Sequence, residues 1–600
     1  MNSSWWDLVV QHLTLRLDGV ALLFLLPVAG LSLVAAIYTP PYLAQERYRG
    51  ESRSRYWLAY LVFFGGMTGT VLAANFILFL VFWEVMTLAS DILVAYETRD
   101  PAAVRAAFKY FVMTHVGTGF LLFGAVLLGV MGGSFAFDRL PATFRALAAT
   151  NPALLHVTLG LLFVGFATKA GLYPFGDWLP DAHPAAPAPV SAVLSGAMVK
   201  LGLYGILRVF IGFLAVSAPG AAVAWGWVLG GFGLLSALVG GAAACAAMDA
   251  KVLLAYSSIA QSGLIAFGFG AALVLTPAHP ALAALALLGA CFHILSDAAV
   301  KGLLFLNAGA LQWRTGSRRL EDLGGLFEAM PVTGWTALVG SLAIAGIPPL
   351  TAFVGKWLML QATVLSRSPV VSLAGLGLLM ASLLSVLYAV KFFAAGFANR
   401  PMRPGNLEVP DAMQAAQISL AAVAVALGLA PGAVLGWIAA ILAPLPPLAA
   451  AGPVAWGSSL APVTGAVAPL LLLGLGAWAA LVARAAVGGG PAPAPREIWM
   501  GGVPADRVPP RIHPLGFYSP MRESLRRAYP APHWHRIARP QWLLTALDLD
   551  RWLYGPAGAA GRRFVSGLRR LHTGVPNLYL AWQLAGATAL ALLLLLLLRR

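Results

Sequence analysis

Residues 153–180 read ALLHVTLGLLFVGFATKAGLYPFGDWLP. The run is long and apolar enough to cross a bilayer, which takes roughly 20 such residues. Yet Lys169 stands inside it, and Gly171 to Pro174 interrupt it. Proline inside a helix removes a backbone donor and clashes with the preceding turn. A broken helix at membrane depth is tolerated only where it is buried in protein or lines a wet cavity. Residues 331–366 repeat the arrangement: Gly346-Ile347-Pro348-Pro349 breaks the run and Lys356 follows. Two broken, lysine-bearing spans point to an ion path through a membrane protein.

Composition agrees. The chain has 600 residues, 60% of them hydrophobic and only 10% charged, where a soluble domain has about 25% charged. Mean hydropathy is +0.80. The expected fold is therefore an all-α polytopic membrane protein. Apolar runs predict about fourteen transmembrane helices: 17–39, 56–73, 76–96, 107–132, 153–180, 187–215, 222–247, 251–275, 279–311, 331–366, 370–397, 412–431, 458–486 and 577–598. Between the last two, 490–575 starts as a Gly/Pro/Ala linker and continues as an amphipathic helix along the membrane surface, carrying Trp542, Leu547, Trp552 and Phe564. Met1 to Val20 lack the basic and apolar regions of a cleaved signal peptide.

The basic residues divide by type. Only seven are lysine: Lys109, Lys169, Lys200, Lys251, Lys301, Lys356 and Lys391, all in or beside apolar runs. The other 32 of the 39 are arginine. Lysine can lose its proton when buried, whereas arginine stays charged. Keeping lysine for the bilayer fits a chain that moves protons. Arginines gather in the loops 40–55, 97–106, 312–330 and 398–411 and in 490–575, which alone has thirteen. Fourteen spans put these on one side, cytoplasmic by the positive-inside rule, and both termini outward. The net charge of +16 then reflects a membrane face and a lipid bilayer partner, with no nucleic acid.

Ionisable residues inside spans are costly and usually functional. Glu84 and Asp91 lie seven residues apart on one helix face. His293, Asp297 and Lys301 stand at i, i+4 and i+8, a ladder with steps of about 6 Å. Lys109 and Lys251 sit at span ends and are expected at the interface, where a lysine can snorkel. Two lone cysteines, Cys245 and Cys291, cannot hold an iron–sulfur cluster. The sequence shows no P-loop and no dinucleotide fingerprint. No cofactor, metal site or redox centre is expected in this chain.

The stretch KAGLYPFGDWLPDAHPAAPAPVSAVLSGAMVKLGLYGILR, Lys169 to Arg208, resembles the antiporter-like proton-channel subunits of respiratory complex I, membrane-bound hydrogenases and Mrp cation/proton antiporters. Its HPAAPAPVSA core, with VKFFAAGFANRPMRPGNLEVPDAM from Val390 to Met413, is most similar to the hydrogenase-4 component B and formate-hydrogenlyase branch. The resemblance implies two inverted five-helix repeats, each with a broken helix, over 56–215 and 222–397. A first helix and loop (1–55) precede them. Further helices (398–489), a linker with a lateral amphipathic helix (490–575) and a last span (576–600) follow. It implies that Glu84 pairs with Lys169, that Lys200 bridges toward the centre, that His293 and Lys301 are central, and that Lys356 is terminal. Asp297 falls where the family tends to have His, and Lys391 falls on a recognisable position. The family usually carries two more helices before the segment matching LRLDGVALLF, residues 15–24.

The resemblance further implies a function: proton translocation driven by redox chemistry in partner subunits, hydrogenase- or quinone-reductase-like, in the cell inner membrane. The chain would then be one component of an oxidoreductase complex rather than an independent enzyme. The alternative is an Mrp-like secondary Na⁺/H⁺ antiporter component. Weakening the Glu84–Lys169 pair would send a proton inward along Lys200, His293, Asp297 and Lys301, and Lys356 would pass it out.

Overall fold

The computed structural model describes residues 14–398 and 407–451, and four positions between 555 and 563. The expected spans 458–486 and 577–598 and the amphipathic segment 490–575 fall essentially outside the described residues. All helices described below lie within one compact unit, Met1–Ala538, while Arg539–Arg600 form a second.

The protein is a multi-pass, all-helical membrane protein. Its helices run in order as α1 (Gly19–Tyr42), α2 (Arg53–Leu72), α3 (Phe76–Val94), α4 (Pro101–Gly132), α5 (Leu140–Thr150), α6 (Pro152–Ala170) and α7 (Leu179–Ala185). Then come α8 (Ala188–Ser217), α9 (Pro219–Ala246), α10 (Ala250–Leu275), α11 (Pro280–Thr315), α12 (Pro331–Ala345), α13 (Thr351–Leu365), α14 (Pro369–Phe397), α15 (Asp411–Leu429) and α16 (Pro431–Leu442). Among the described residues, ten helices are long and apolar enough to cross a membrane. The other two expected spans within this range are α2 and the broken pair α12/α13. The short helices α5 and α16 were not expected from the sequence.

Local chemistry sets the helix ends. Asp18, Asn75, Asn151 and Asp249 accept backbone N–H bonds at the starts of α1, α3, α6 and α10. Proline opens α4, α6, α9, α11, α12 and α14, where its missing donor costs nothing. Both breaks end in one motif. Gly171 (φ 70°) closes α6 and Gly346 (φ 82°) closes α12. Leu172 N donates to Ala167 O and Gly171 N to Thr168 O. Ile347 N donates to Leu342 O and Gly346 N to Ala343 O. This is a Schellman cap at each site. The left-handed glycine therefore stops the helix, and Pro174 and Pro348 lie beyond the stop. The breaks lie at the Gly171–Pro174 and Gly346–Pro349 stretches expected from the sequence, and each begins at its glycine.

Glycine also sets how closely helices approach. A Cβ on Gly233 of α9 would lie 2.4 Å from Phe267 N of α10, and one on Gly263 2.5 Å from Gly233 O. Apolar lipid tails give no hydrophobic drive to pair helices, so backbone-close packing through small residues supplies the cohesion. The two innermost helices are α10 and α11, each 94% buried over its most apolar stretch. Polar groups on them are consequently shielded from lipid. We expect Gly263→Val to force α9 and α10 apart at a cost of about 1–3 kcal/mol or more. Thermal unfolding in detergent should fall by several degrees, while Gly231→Ala, whose Cβ meets nothing within 4 Å, should leave it unchanged.

Candidate functional site

Lys169 occupies the last turn of α6, before the break. Gly202 of α8 fits against that turn: its Cβ would lie 2.3 Å from Ala170 N and 2.5 Å from Phe166 O. The α8 backbone thus passes directly beside Lys169, two residues from Lys200. Lys169 Nζ donates to Thr87 Oγ1 at 2.7 Å and lies 5.4 Å from the Trp83 ring centroid and 5.9 Å from that of Tyr110. Aromatic faces stabilise a desolvated ammonium.

The expected direct pairing of Glu84 with Lys169 is not what the structure contains. Glu84 Oε2 lies 3.1 Å from His115 Nε2 of α4, and Thr87 takes the lysine. The cause is helical phase. Thr87 is buried on the inner face of α3, whereas Glu84 shares the outer face with exposed Val81 and Leu88. Glu84 still acts on Lys169 through space. His115 was not identified from the sequence, where a lone histidine in an apolar helix gives little signal.

At the centre, Lys200 of α8 and Asp297 of α11 form an ion pair with both side chains 1% exposed. Lys200 Nζ also donates to Ser195 O at 2.9 Å. Ser195 lies in a π-turn of α8 at Leu194–Met198, an irregularity frequent at functional sites. Ser195 Oγ in turn meets Ser258 Oγ of α10 at 2.7 Å.

The ladder on α11 forms as its spacing predicts, and its other two rungs find partners on α10. His293 Nε2 bonds Gln261 Oε1 at 2.7 Å, and Gln261 Nε2 donates to Tyr388 OH of α14 at 2.6 Å. Lys301 Nζ donates to Ser257 Oγ and to Leu254 O at 3.2 Å. These α10 partners went unnoticed, although Lys251, Ser257, Ser258 and Gln261 are a polar series in an otherwise apolar helix.

Lys356 Nζ donates 2.8 Å to Ile344 O, at the broken end of α12. Close α11–α13 packing, with a Gly355 Cβ position 2.7 Å from Gly289 O and 2.8 Å from His293 Cβ, keeps Lys356 beside the ladder. Lys391 Nζ donates at 2.7 Å to Cys245 O and to Ala247 O, capping the C-terminal end of α9. Lys109 lies 2.9 Å from Asp177 and 2.7 Å from Asp181. Lys251 departs from the expected interface position. It is 1% exposed, and its Nζ donates to Ala186 O at 2.8 Å. Asp91 stays on the outer face of α3 with Glu84. Among the described residues, no three His, Cys, Asp or Glu are grouped to hold a metal ion.

The buried groups Lys169, the Lys200–Asp297 pair, His293, Lys301 and Lys356 make up the candidate site. The family described as NADH:quinone oxidoreductase/Mrp antiporter, transmembrane, matches residues 73–384, the stretch holding all these groups. The chain belongs to this family. Hydrogenase-4 component B of Escherichia coli is 36% identical over 428 residues, 70% of this chain and 62% of that protein. An Na(+)/H(+) antiporter protein of Alkalihalophilus pseudofirmus is 34% identical over 420 residues, 68% of this chain and 50% of that protein. The chain therefore spans about half to three-fifths of the length of these relatives.

Solved structures give the same family. A chain of the membrane-bound sulfane sulfur reductase, an archaeal respiratory membrane complex, superposes with a TM-score of 0.74 at 26% identity. That match covers 96% of this chain and 89% of the other. A chain of respiratory complex I from Thermus thermophilus superposes with a TM-score of 0.55 at 29% identity, covering 70% of this chain and 86% of that one. This antiporter-like chain thus shares its helical framework with subunits of large membrane assemblies.

Removing one partner of a buried ion pair leaves the other charge uncompensated, at about 3–5 kcal/mol, whereas removing both is far less costly. Lys200→Met should therefore markedly lower thermal stability in detergent. The double variant Lys200→Met/Asp297→Asn should recover most of the loss.

Proposed function

We propose that this antiporter-like subunit translocates protons within a redox-driven membrane complex. One observation carries the reading: a line of buried ionisable groups joins the broken helix α6 to the broken helix α12/α13, centred on Lys200–Asp297. Apolar alternatives at these positions would be cheaper in a bilayer, so the groups act as proton carriers. Lys169 takes up a proton near Thr87, with Glu84 supplying the charge that holds it there. When that influence weakens, the proton passes to the Lys200–Asp297 pair, then by Lys301 and His293 to Lys356, which releases it. Lys391 steadies the α9 end.

The helices α2, α3, α4, α6/α7 and α8 form a first repeat, 56–215. The helices α9, α10, α11, α12/α13 and α14 form a second, 222–397. Five spans in each make the repeats inverted. The arginine loops face the cytoplasm, and the membrane is the cell inner membrane. Contacts between these loops support a shared side within each of two pairs: Arg47 Nε bonds Glu97 Oε2 at 2.7 Å, and Gly325 N donates to Ala398 O at 2.6 Å.

Partner subunits, hydrogenase- or quinone-reductase-like, supply the redox chemistry. The outer face of α3 and α4 supports a neighbour. Glu84 and His115 are 31% and 30% exposed there, amid exposed Val81, Leu88, Val112 and Val116. Charged groups facing lipid carry a penalty of several kcal/mol, which a docked membrane protein would remove. Likeness to the Na(+)/H(+) antiporter protein of Alkalihalophilus pseudofirmus favours a second reading, Na⁺/H⁺ exchange.

Lys169→Met in the assembled complex should cut coupled proton transport at least about tenfold, read by a pH-sensitive dye in proteoliposomes, with partner redox turnover partly retained. Wild-type pumping would refute the assignment. Proton uptake that requires sodium and is matched by ²²Na⁺ flux would favour exchange instead.

A further inference from the structure

His183 follows the first break, near the end of α7, and takes no part in the path above. It is fully buried. Its ring stacks on Phe305 of α11, centroids 4.6 Å apart, which accounts for its faces. Its nitrogens are unaccounted for: neither Nδ1 nor Nε2 has a hydrogen-bond partner among the described residues. A neutral imidazole presents one donor and one acceptor, and leaving such groups unsatisfied in a core costs about 1–3 kcal/mol each. Buried polar groups of this kind are the usual hosts of ordered water.

The surroundings give the site a direction. At the arginine-loop surface, Arg318 Nε bonds Asp249 Oδ2 at 3.1 Å, with side chains 26% and 21% exposed. The same guanidinium donates to Pro184 O, next to His183. Two residues beyond Asp249, Lys251 is buried and donates to Ala186 O, three residues past His183. One turn further along α10, Leu254 O accepts from Lys301. Lys301 is itself one turn from Phe305, the stacking partner. The charged groups facing His183 are Lys251, Lys301 and Lys200. Exposure falls from the half-buried Arg318–Asp249 pair to the buried Lys251 and His183, and beyond His183 the charged neighbours are the central Lys301 and Lys200.

We propose that His183 is a water-bridged proton relay linking a mouth at Arg318, Asp249 and Lys251 to Lys301 and Lys200, forming an inlet separate from Lys169. The inlet rests on the proton-translocating reading above. One ring nitrogen accepts a proton from water on the Lys251 side. The other nitrogen releases its proton to water on the Lys301 side, so no net charge stays on the ring. The ligand class is water, held by an imidazole, rather than a metal or an organic substrate.

The test uses the complex purified through this chain, in proteoliposomes, with a valinomycin-driven potassium diffusion potential drawing protons inward. His183→Phe preserves the stacking on Phe305 and removes both nitrogens. His183→Gln keeps polarity but cannot relay a proton between two nitrogens. Both are expected to assemble, to lose at least about tenfold in proton flux, and to show a larger solvent deuterium isotope effect on the remaining flux. Wild-type flux in either variant overturns the inlet. So does a loss of flux with an unchanged isotope effect, which would mark a packing role. If His183→Phe fails to assemble, His183→Gln decides alone, and its failure to assemble would likewise assign packing. Lys169→Met in the same vesicles separates the two ideas. Because the inlet bypasses Lys169, Lys169→Met should keep this potential-driven flux while losing redox-coupled transport. Potential-driven flux lost in Lys169→Met but kept in the His183 variants removes only the inlet, and redox-coupled transport kept in Lys169→Met removes the reading on which it rests.

Discussion

The contact between Lys200 and Asp297 is the constraint around which the molecule is arranged. Two charges taken wholly out of water cost several kcal/mol each, and their attraction offsets this only with good geometry and further hydrogen bonds. The fold supplies both. Ser195 O, in the π-turn of α8, accepts a hydrogen bond from the lysine. Glycine contacts press α8 onto α6 and α13 onto α11, so both broken helices abut the helices that carry the pair. The neighbours α10 and α11 are almost wholly shielded. Loosening this packing would let lipid reach the charges.

A second regularity concerns three of the other lysines. Lys356 bonds the end of α12, Lys391 the end of α9, and Lys251 the carbonyl just past α7. The last carbonyls of a helix lack partners within it and carry about half a negative charge. An ammonium placed there gains hydrogen bonds without a carboxylate to lock it. Such a lysine can lose its proton without stranding a buried anion. Asp297 is the exception, and its charge is shared among Lys200, Lys301, Lys356 and His293.

Much of this was legible in the sequence because lysines and carboxylates stand out against apolar runs. Lys169, Lys200, the His293–Asp297–Lys301 ladder and Lys356 all lie where the spans placed them. What escaped depends on backbone detail or helical phase. Gly171 and Gly346 stop the broken helices, yet the prolines after them give the louder signal. The π-turn at Leu194–Met198 has no sequence mark. Glu84 turns outward to His115 because of a phase difference of three residues from Thr87, beyond the precision of span boundaries. Lys251 looked like an interface residue because it begins a helix, and only the fold covers that helix start.

The protonation state of Asp297 during proton flux probes this arrangement most directly. Infrared difference spectra can be recorded on the reconstituted complex with and without an imposed potential, using Asp297→Asn to assign the signal. A protonated carboxyl band should grow under flux and be missing in the variant, because a proton crossing the central pair must transiently neutralise the carboxylate. Wild-type flux with no carboxyl band assignable to Asp297 would mean that protons bypass the pair, and the path drawn here would be wrong.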